Sequence, residues 1–381
     1  MSIFSKNFSI KYDKNIIFDI YTNSPFVILN TGLFWDIVFD WRITMKKLKI
    51  GQIGIGHNHA GAKPLAIKKF PELFELVGYS EDNERWVEKR GGMEWYDGVP
   101  RLSTDELIEK CDALMIETDV WDLTATAQKC IDAGKHIHMD KPGSGTLAEY
   151  KHLLDSAKEK NLIVQLAYMY RYNPAVMKCF ELIREGKLGE IYSINAEMST
   201  FHPEDYRRWL TNFGGGIMYI LGCHLIDLIV YLLGKPDKVH SFMKQTGLDG
   251  IHFEDNNLAV LEYEKALARV FVSSVEVNGF GRRQFMVSGS RGTVNICPIE
   301  RPLTMTYSDT SIADSTYEDR KIFYEFEDNT ANGRYDEMMK DFYYYVTGAK
   351  ENPFSYEHEY LVQEVLSEVI GGVKFYGKNI D

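Results

Sequence analysis

A chain of 381 residues is long enough for two domains with separate cores, and its 45% hydrophobic and 26% charged content is that of an ordinary globular protein. With 43 basic against 55 acidic residues the net charge is −12, which excludes a general affinity for nucleic acid or an anionic membrane but leaves room for a locally basic site. No uncharged run reaches the ~20 residues that cross a bilayer, no secretory pattern opens the chain, and the cysteines Cys111, Cys130, Cys179, Cys223 and Cys297 form no C-x-x-C pair, so a reduced, cytoplasmic protein without a metal site is expected.

Residues 1–44 are aromatic and apolar clusters broken by Asp19, Asp36 and Asp40. The character changes at Met45-Lys46-Lys47-Leu48-Lys49, an ordinary beginning ahead of a first strand. The expectation is a dispensable extension over 1–44; the rival reading is an arm that packs on a neighbouring subunit through residues such as Phe26, Val27, Phe34, Trp35 and Trp41.

From Leu48, apolar runs alternate with helical patterns. Leu48–Ile53, Phe74–Tyr79, Ala113–Ile116, His136–Met139 and Ile163–Ala167 read as strands. Between them Ala60–Phe70, Thr104–Lys110 (opened by a capping threonine), Leu123–Ala133 (stopped by Gly134) and Leu147–Lys160 read as helices. Repeated βα units imply a doubly wound parallel sheet, whose ligands bind at the carboxyl ends of the strands. Residues 45–170 are therefore expected to form a Rossmann dinucleotide-binding domain.

The first strand runs into Gly54-Ile55-Gly56-His57-Asn58-His59. Gly54 suits the tight turn, and Gly56 lets the backbone approach a pyrophosphate. The amides that follow, from His57 and Asn58 onward, would face the negative charge. His59 stands where a third glycine is usual and is expected to widen the contact of helix with strand. Glu81 follows Gly56 by roughly 25 residues, near the ~20 at which an acid takes the ribose hydroxyls. A carboxylate there, with no arginine directly beside it, favours NAD over NADP; Asp82 is the alternative acid.

After Pro174 the style changes. Ala175–Glu185 reads as a helix, and Ile191–Thr200, Lys238–Lys244, Leu258–Tyr263, Ala268–Val277, Phe285–Ser288 and Thr293–Ile296 as strands, with Ser290-Arg291-Gly292 as a hairpin turn. Further helices are expected at Gly222–Leu233, Arg334–Val346 and His358–Val369. Residues 171–381 thus read as an α/β domain on a large, mostly antiparallel open sheet.

Three segments share an order and spacing: Ala133-Gly134-Lys135-His136-Ile137-His138-Met139-Asp140-Lys141-Pro142, Tyr170-Arg171-Tyr172-Asn173-Pro174, and Gly214-Gly215-Gly216 through His224 to Asp227. Together they resemble the glucose–fructose oxidoreductase and inositol dehydrogenase (Gfo/Idh/MocA) family, from about Lys47 to the C-terminus. The resemblance implies an NAD(P)-dependent oxidoreductase acting on a secondary hydroxyl of a sugar, glycoside or cyclitol. It also implies a homodimer or homotetramer built through the sheet of the second domain. Asp140-Lys141-Pro142 stands where the family carries Glu-Lys-Pro, so Lys141 matches the catalytic lysine and a cofactor contact, and the bond before Pro142 is a candidate cis bond. His224 matches the catalytic histidine and a substrate contact. Ile220 stands where the family often has aspartate, four residues before that histidine.

Hydride transfer from an alcohol needs a base for the hydroxyl proton and a donor for the developing oxyanion. His224 suits the first role and Lys141 the second, with exchange possible if burial depresses the lysine. Arg171 and Tyr172, at the domain junction, and Trp209, in a cluster with His202, Tyr206, Arg207 and Arg208, are candidate substrate contacts. Cys223 reads as packing. Two other readings compete: an NAD-dependent, redox-assisted glycoside hydrolase or lyase, and a nucleotide-binding sensor without turnover.

Overall fold

The computed structural model describes residues 46–313, 317, 319–327 and 333–377, together with the backbone of four short strands nearer the N-terminus. Those strands pair antiparallel: β1 (Phe8–Tyr12) with β2 (Ile16–Ile20), and β3 (Phe26–Leu29) with β4 (Ile37–Asp40). They belong to one unit, Met1–Lys47, and the remainder, Leu48–Asp381, is a second. Phe34, Trp35, Trp41 and Met45 lie outside the described residues.

In the second unit β5 (Leu48–Ile53), β6 (Phe74–Ser80), β7 (Ala113–Ile116), β8 (His136–Met139) and β9 (Val164–Leu166) form an all-parallel sheet in the order β6-β5-β7-β8-β9. The central strand β7 is buried at all four residues, as expected for a parallel sheet covered on both faces. Its helices are α1 (Ala62–Lys68), α2 (Glu84–Arg90), α3 (Thr104–Lys110), α4 (Leu123–Asp132) and α5 (Leu147–Glu159). Local chemistry sets their limits. Ser103 with Glu106 and Thr146 with Glu149 form capping boxes that satisfy the free amides of α3 and α5. The cap of α3 is thus Ser103, one residue before the threonine that sequence pattern suggested.

The chain then enters α6 (Pro174–Arg184), where Asn173 accepts from the amides of Ala175 and Val176. Next come β10 (Ile191–Glu197), α7 (Glu204–Leu210), α8 (Cys223–Leu233) and the strands β11 (Lys238–Lys244), β12 (Asn256–Glu262) and β13 (Leu267–Ser273). After these follow β14 (Gln284–Gly289), β15 (Gly292–Ile296), β16 (Thr304–Asp309) and β17 (Ile322–Glu325), then α9 (Asp336–Val346) and α10 (Tyr356–Ile370). The eight strands make one sheet, β11-β12-β13-β10-β14-β15-β16-β17, antiparallel except where β10 meets β13.

Period-two alternation gives this sheet two different faces. Ile194, Ala196, Ala259, Leu261, Val270, Phe285 and Val287 are buried, and α8 packs on β10 and β13. The other face carries Phe242, Leu258, Val260, Phe271 and Met286, half-buried to exposed. Among the described residues no helix is long and apolar enough to cross a membrane. All five cysteines are unpaired, and only Cys297 is exposed.

Candidate active site

The carboxyl end of β5 turns at Gly54, whose φ of +85° and whose missing side chain are both required: a Cβ would lie 2.5 Å from the Thr118 backbone. At Gly56 a Cβ would meet the Trp86 indole nitrogen at 2.7 Å. Arg90, from the end of α2, donates to the carbonyls of Ile55, Gly56 and His57 at 2.8, 2.8 and 2.6 Å, which fixes the loop's shape.

Glu81, at the end of β6, accepts from the Ile55 amide at 2.8 Å and the Asn83 amide at 2.9 Å. A carboxylate has about four acceptor sites, so two remain for further donors. Glu81 and Gly54 line a cavity of about 870 Å³ with Asp82, Asn83, Thr118 and Asp119. Its size and its carboxylate and backbone lining at the strand ends fit the adenosine half of a dinucleotide. One point corrects the sequence reading: an arginine does lie beside Glu81. Arg101 donates to the Glu81 carbonyl at 2.7 Å and to Glu84 at 2.8 Å.

The end of β8 brings in Asp140-Lys141-Pro142, with the Lys141–Pro142 bond cis. Asp140 receives the Lys141 backbone N–H at 2.8 Å. Its carboxylate also holds Lys63 Nζ at 2.6 Å, His59 Nδ1 at 3.1 Å and His57 Nδ1 at 3.3 Å. Lys63 bridges onward to Glu117 at 3.1 Å. Burial works to raise Asp140, but His57, Lys63 and His59 outweigh it and hold the carboxyl well below its usual range. Burial pushes Glu117 well up and His59 down to about 3. His57, His59 and Asp140 have the donor atoms of a small metal site, yet the Lys63 ammonium already supplies the cation to that carboxylate. Sequence pattern missed this cluster. Its signal was the pair of histidines flanking Asn58 where a glycine is usual.

Lys141 is buried, and its Nζ donates to the Ile220 carbonyl at 2.9 Å. Ile220 lies in a π-helical turn, Met218–Gly222, that leads directly into α8. That wider turn re-aims backbone carbonyls, and the Cys223 thiol shares the same acceptor at 3.4 Å. Burial pushes Cys223 up to about 12, so its thiol is an inert packing group.

His224, on the first turn of α8, is 2% exposed. Tyr170 and Tyr168 meet it edge-on, with ring centroids 5.0 and 5.8 Å away. Its Nδ1 makes no hydrogen bond among the described residues. Burial, then the Lys141 charge, holds the imidazole well below its ordinary value. Asp227 does not orient it; that carboxylate belongs to Arg171 and His358.

Lys141, His224, His57 and Asn58 line one cavity of about 250 Å³, with Trp209, Tyr206 and His202 along one side and Arg283, Glu300 and Arg334 also in its lining. The last three were not legible as site residues. Arg171 and Tyr172, expected as substrate contacts, do not line this cavity. The Arg171 guanidinium is buried and spent on Asp227 (2.6 Å) and Glu359 (2.6 Å), and the buried Tyr172 hydroxyl accepts from Gln165 at 3.2 Å. Arg207 and Arg208 are likewise committed elsewhere, to Asp249 and Glu204.

A parallel sheet with a glycine turn and an acid at the ends of its first two strands, joined to a second domain across a cavity, is the architecture of a nicotinamide-dependent oxidoreductase. Models of two domains agree. The oxidoreductase family, NAD-binding Rossmann fold, matches residues 48–168, and the GFO/IDH/MocA C-terminal domain matches residues 176–295, together more than half of the chain. The chain belongs to the Gfo/Idh/MocA family of NAD(P)-binding oxidoreductases.

An uncharacterized oxidoreductase of Schizosaccharomyces pombe is 30% identical over 239 residues, 60% of this chain and 64% of that protein. The scyllo-inositol 2-dehydrogenase (NADP(+)) of Bacillus subtilis is 34% identical over 112 residues, 29% of this chain and 31% of the relative. Both matches span less than two thirds of the relative's length. An oxidoreductase from Agrobacterium radiobacter, solved in complex with NAD+, L-tartaric acid and magnesium, superposes with a TM-score of 0.73 over 87% of this chain and 98% of that one. At 14% identity that likeness is one of fold.

Proposed function

We propose that the protein is an NAD-dependent dehydrogenase acting on a secondary hydroxyl of a sugar, glycoside or cyclitol, with Lys141 and His224 as its catalytic pair. The observation that carries this reading is their convergence: a buried lysine and a buried histidine line one small cavity whose edge is His57 and Asn58 of the glycine loop. The bound cofactor would accept or return the hydride. Every other task falls to the chain. The neutral His224 imidazole, with Nδ1 unused, takes the hydroxyl proton. The Lys141 ammonium, held by a neutral carbonyl, presents its remaining protons to the oxygen as charge develops. Trp209 offers an aromatic face to a sugar ring. Glu81 disfavours a 2′-phosphate, which supports NAD; Arg101 is the counter-argument, but it is already engaged by Glu84 and the Glu81 carbonyl. The open face of the eight-stranded sheet is the proposed self-association surface, which light scattering tests.

The deciding assay is steady-state turnover with NAD and a panel of sugars, glycosides and inositols. NADH formation supports the dehydrogenase. Release of a substituent without net NADH marks the redox-assisted cleavage, and tight NAD binding without any turnover marks a sensor.

A further inference from the structure

Arg283, Glu300 and Arg334 lie together in the lining of the cavity that also holds Lys141 and His224. Glu300 is 1% exposed and receives Arg283 Nη1 at 2.9 Å, Arg334 Nη2 at 3.1 Å and the Tyr170 hydroxyl. One carboxylate therefore serves two guanidinium groups. Arg283 is locked in place by the Ser199 carbonyl at 3.3 Å and the Thr200 hydroxyl. Arg334 is held less completely: its Nε is shielded from solvent yet makes no hydrogen bond among the described residues.

The remaining charges do not correct the imbalance. Lys141 has a neutral acceptor, the Ile220 carbonyl. His202 is held down to about 4 by burial, with Arg283 and Arg207 adding to it, and His224 and His57 are also held below their ordinary values by burial first. All three are neutral at neutral pH. Behind them Lys63 lies between Asp140 and Glu117, at 2.6 and 3.1 Å, and burial pushes the Glu117 carboxyl up. The lining thus carries three cations, Lys141, Arg283 and Arg334, against the single carboxylate Glu300. Lys141 and Arg283 are buried and Arg334 is partly exposed, and an excess of like charge in a shielded cavity favours an anionic ligand. A guanidinium with unused donors is suited to a planar carboxylate.

We infer that the substrate is a monosaccharide-sized polyol bearing a carboxylate, an aldonate or uronate, with the acid group bound at Arg334 and the reacting hydroxyl at Lys141 and His224. This rests on the reaction proposed above and narrows its substrate class. The cavity of about 250 Å³ lies below the ~300–1,000 Å³ of drug-sized sites, so it suits one small ring or open chain. Carboxylate is favoured over phosphate because it is the smaller anion in a cavity of about 250 Å³, and a planar guanidinium fork matches its two coplanar oxygens.

The test is calorimetric titration of the NADH-loaded protein with D-gluconate, D-glucuronate and D-galacturonate, each against its uncharged counterpart: sorbitol, glucose and galactose. Glucose 6-phosphate is the phosphate arm. The acids are expected to bind at least tenfold tighter than their counterparts and tighter than the phosphate. In Arg334→Gln that preference should disappear, and for any acid that is turned over KM should rise tenfold or more with kcat changed only a few-fold. Arg334→Lys should keep part of the preference. Equal or tighter binding of the neutral polyols, or of the phosphate, overturns the inference, and the wild-type comparison decides this even if a variant fails to fold. Binding is read without turnover. Absence of hydride transfer with a retained acid preference would sink the proposed reaction alone, and NADH formation from neutral sugars without acid preference would sink this inference alone.

Discussion

Arg171→Met should unfold the protein more readily without touching its Michaelis constant. The side chain is 2% exposed, and its partners Asp227 and Glu359 are each 1% exposed. Five contacts between 2.6 and 3.1 Å join the guanidinium to those two carboxylates, and the ring of Phe354 packs 3.8 Å from its centre. Removing one partner of a buried ion pair costs about 3–5 kcal/mol, chiefly because the remaining charge is left unpaired. Here two carboxylates are left, although Asp227 retains His358 at 3.2 Å. At roughly 2–4 °C per kcal/mol for a domain of moderate size, the melting temperature should fall by about 10 °C.

The pH dependence should reverse as well. Burial works to raise Asp227, and Arg171 with His358 overrides it, so the folded-state pKa is lowered. That contribution is present above the unfolded value near 3.9 and is lost as pH falls through the folded one. Without Arg171 burial wins at Asp227, its carboxyl titrates higher, and the variant should gain stability relative to wild type on acidification from pH 7 to 5. Arg171→Met combined with Asp227→Asn and Glu359→Gln should recover most of the loss. Thermal melts across that range and a KM determination check the argument. A melting temperature within ~2 °C of wild type together with a raised KM would show that Arg171 serves the substrate and that the ion-pair reasoning is wrong.

Lys141→Ala and His224→Ala should each lower kcat by about 10²-fold or more, the scale of acid–base and oxyanion groups, with NADH affinity by fluorescence titration changed far less. Ile220→Asp places a carboxylate one turn before His224, which should raise the imidazole pKa and move the acid limb of the kcat/KM profile to higher pH; an unmoved limb would assign that limb to another group. NAD should bind at least tenfold tighter than NADP, about 1.4 kcal/mol, and Glu81→Ala should erase the difference; equal affinities in wild type would mean that Arg101, not Glu81, governs the ribose. A chain beginning at Met45 should fold, bind NAD and turn over like the full chain; a melt lowered by several degrees would show residues 1–44 to be structural.

Most of the fold was legible because its signals are local. Leu48–Ile53, Thr104–Lys110, Ala113–Ile116, His136–Met139 and Lys238–Lys244 form the elements their patterns predict, with matching limits. The elements that escaped lack such a pattern. In α2, Glu-Arg-Trp-Val-Glu-Lys-Arg buries only Trp86, so no apolar stripe marks it. In β16, Thr-Met-Thr-Tyr-Ser-Asp alternates threonine and serine with Met305 and Tyr307, a weak contrast, and β17 is barely buried. The site divides along the same line. Glycine loop, Glu81, Lys141 and His224 were readable as short motifs. The fate of Arg171 was not, because its carboxylates stand 56 and 188 residues away in sequence, and nothing local distinguishes a guanidinium facing a cavity from one sealed in the core. Arg283, Glu300 and Arg334 were invisible for the same reason.

The departure at Ile220 is where sequence and geometry inform each other most. A family aspartate at this position, four residues before the histidine, would bring a negative charge that orients the imidazole and raises its basicity. In this chain the π turn delivers the Ile220 carbonyl to Lys141 Nζ instead. A carbonyl can orient an ammonium as well as a carboxylate can, but it brings no negative charge. Lys141 keeps its position, and its uncompensated cation contributes to holding His224 below the ordinary imidazole range, after burial itself. An imidazole of low pKa remains neutral, and so able to accept a proton, in more acidic solution, but it is a weaker base once the proton must be taken. The deficit has to be met at the oxygen, where an ammonium without a competing carboxylate stabilises a developing alkoxide more strongly. On the roles proposed for Lys141 and His224, isoleucine in place of aspartate shifts the catalytic load from the base to the lysine, and Lys141→Ala should cost more in kcat than His224→Ala.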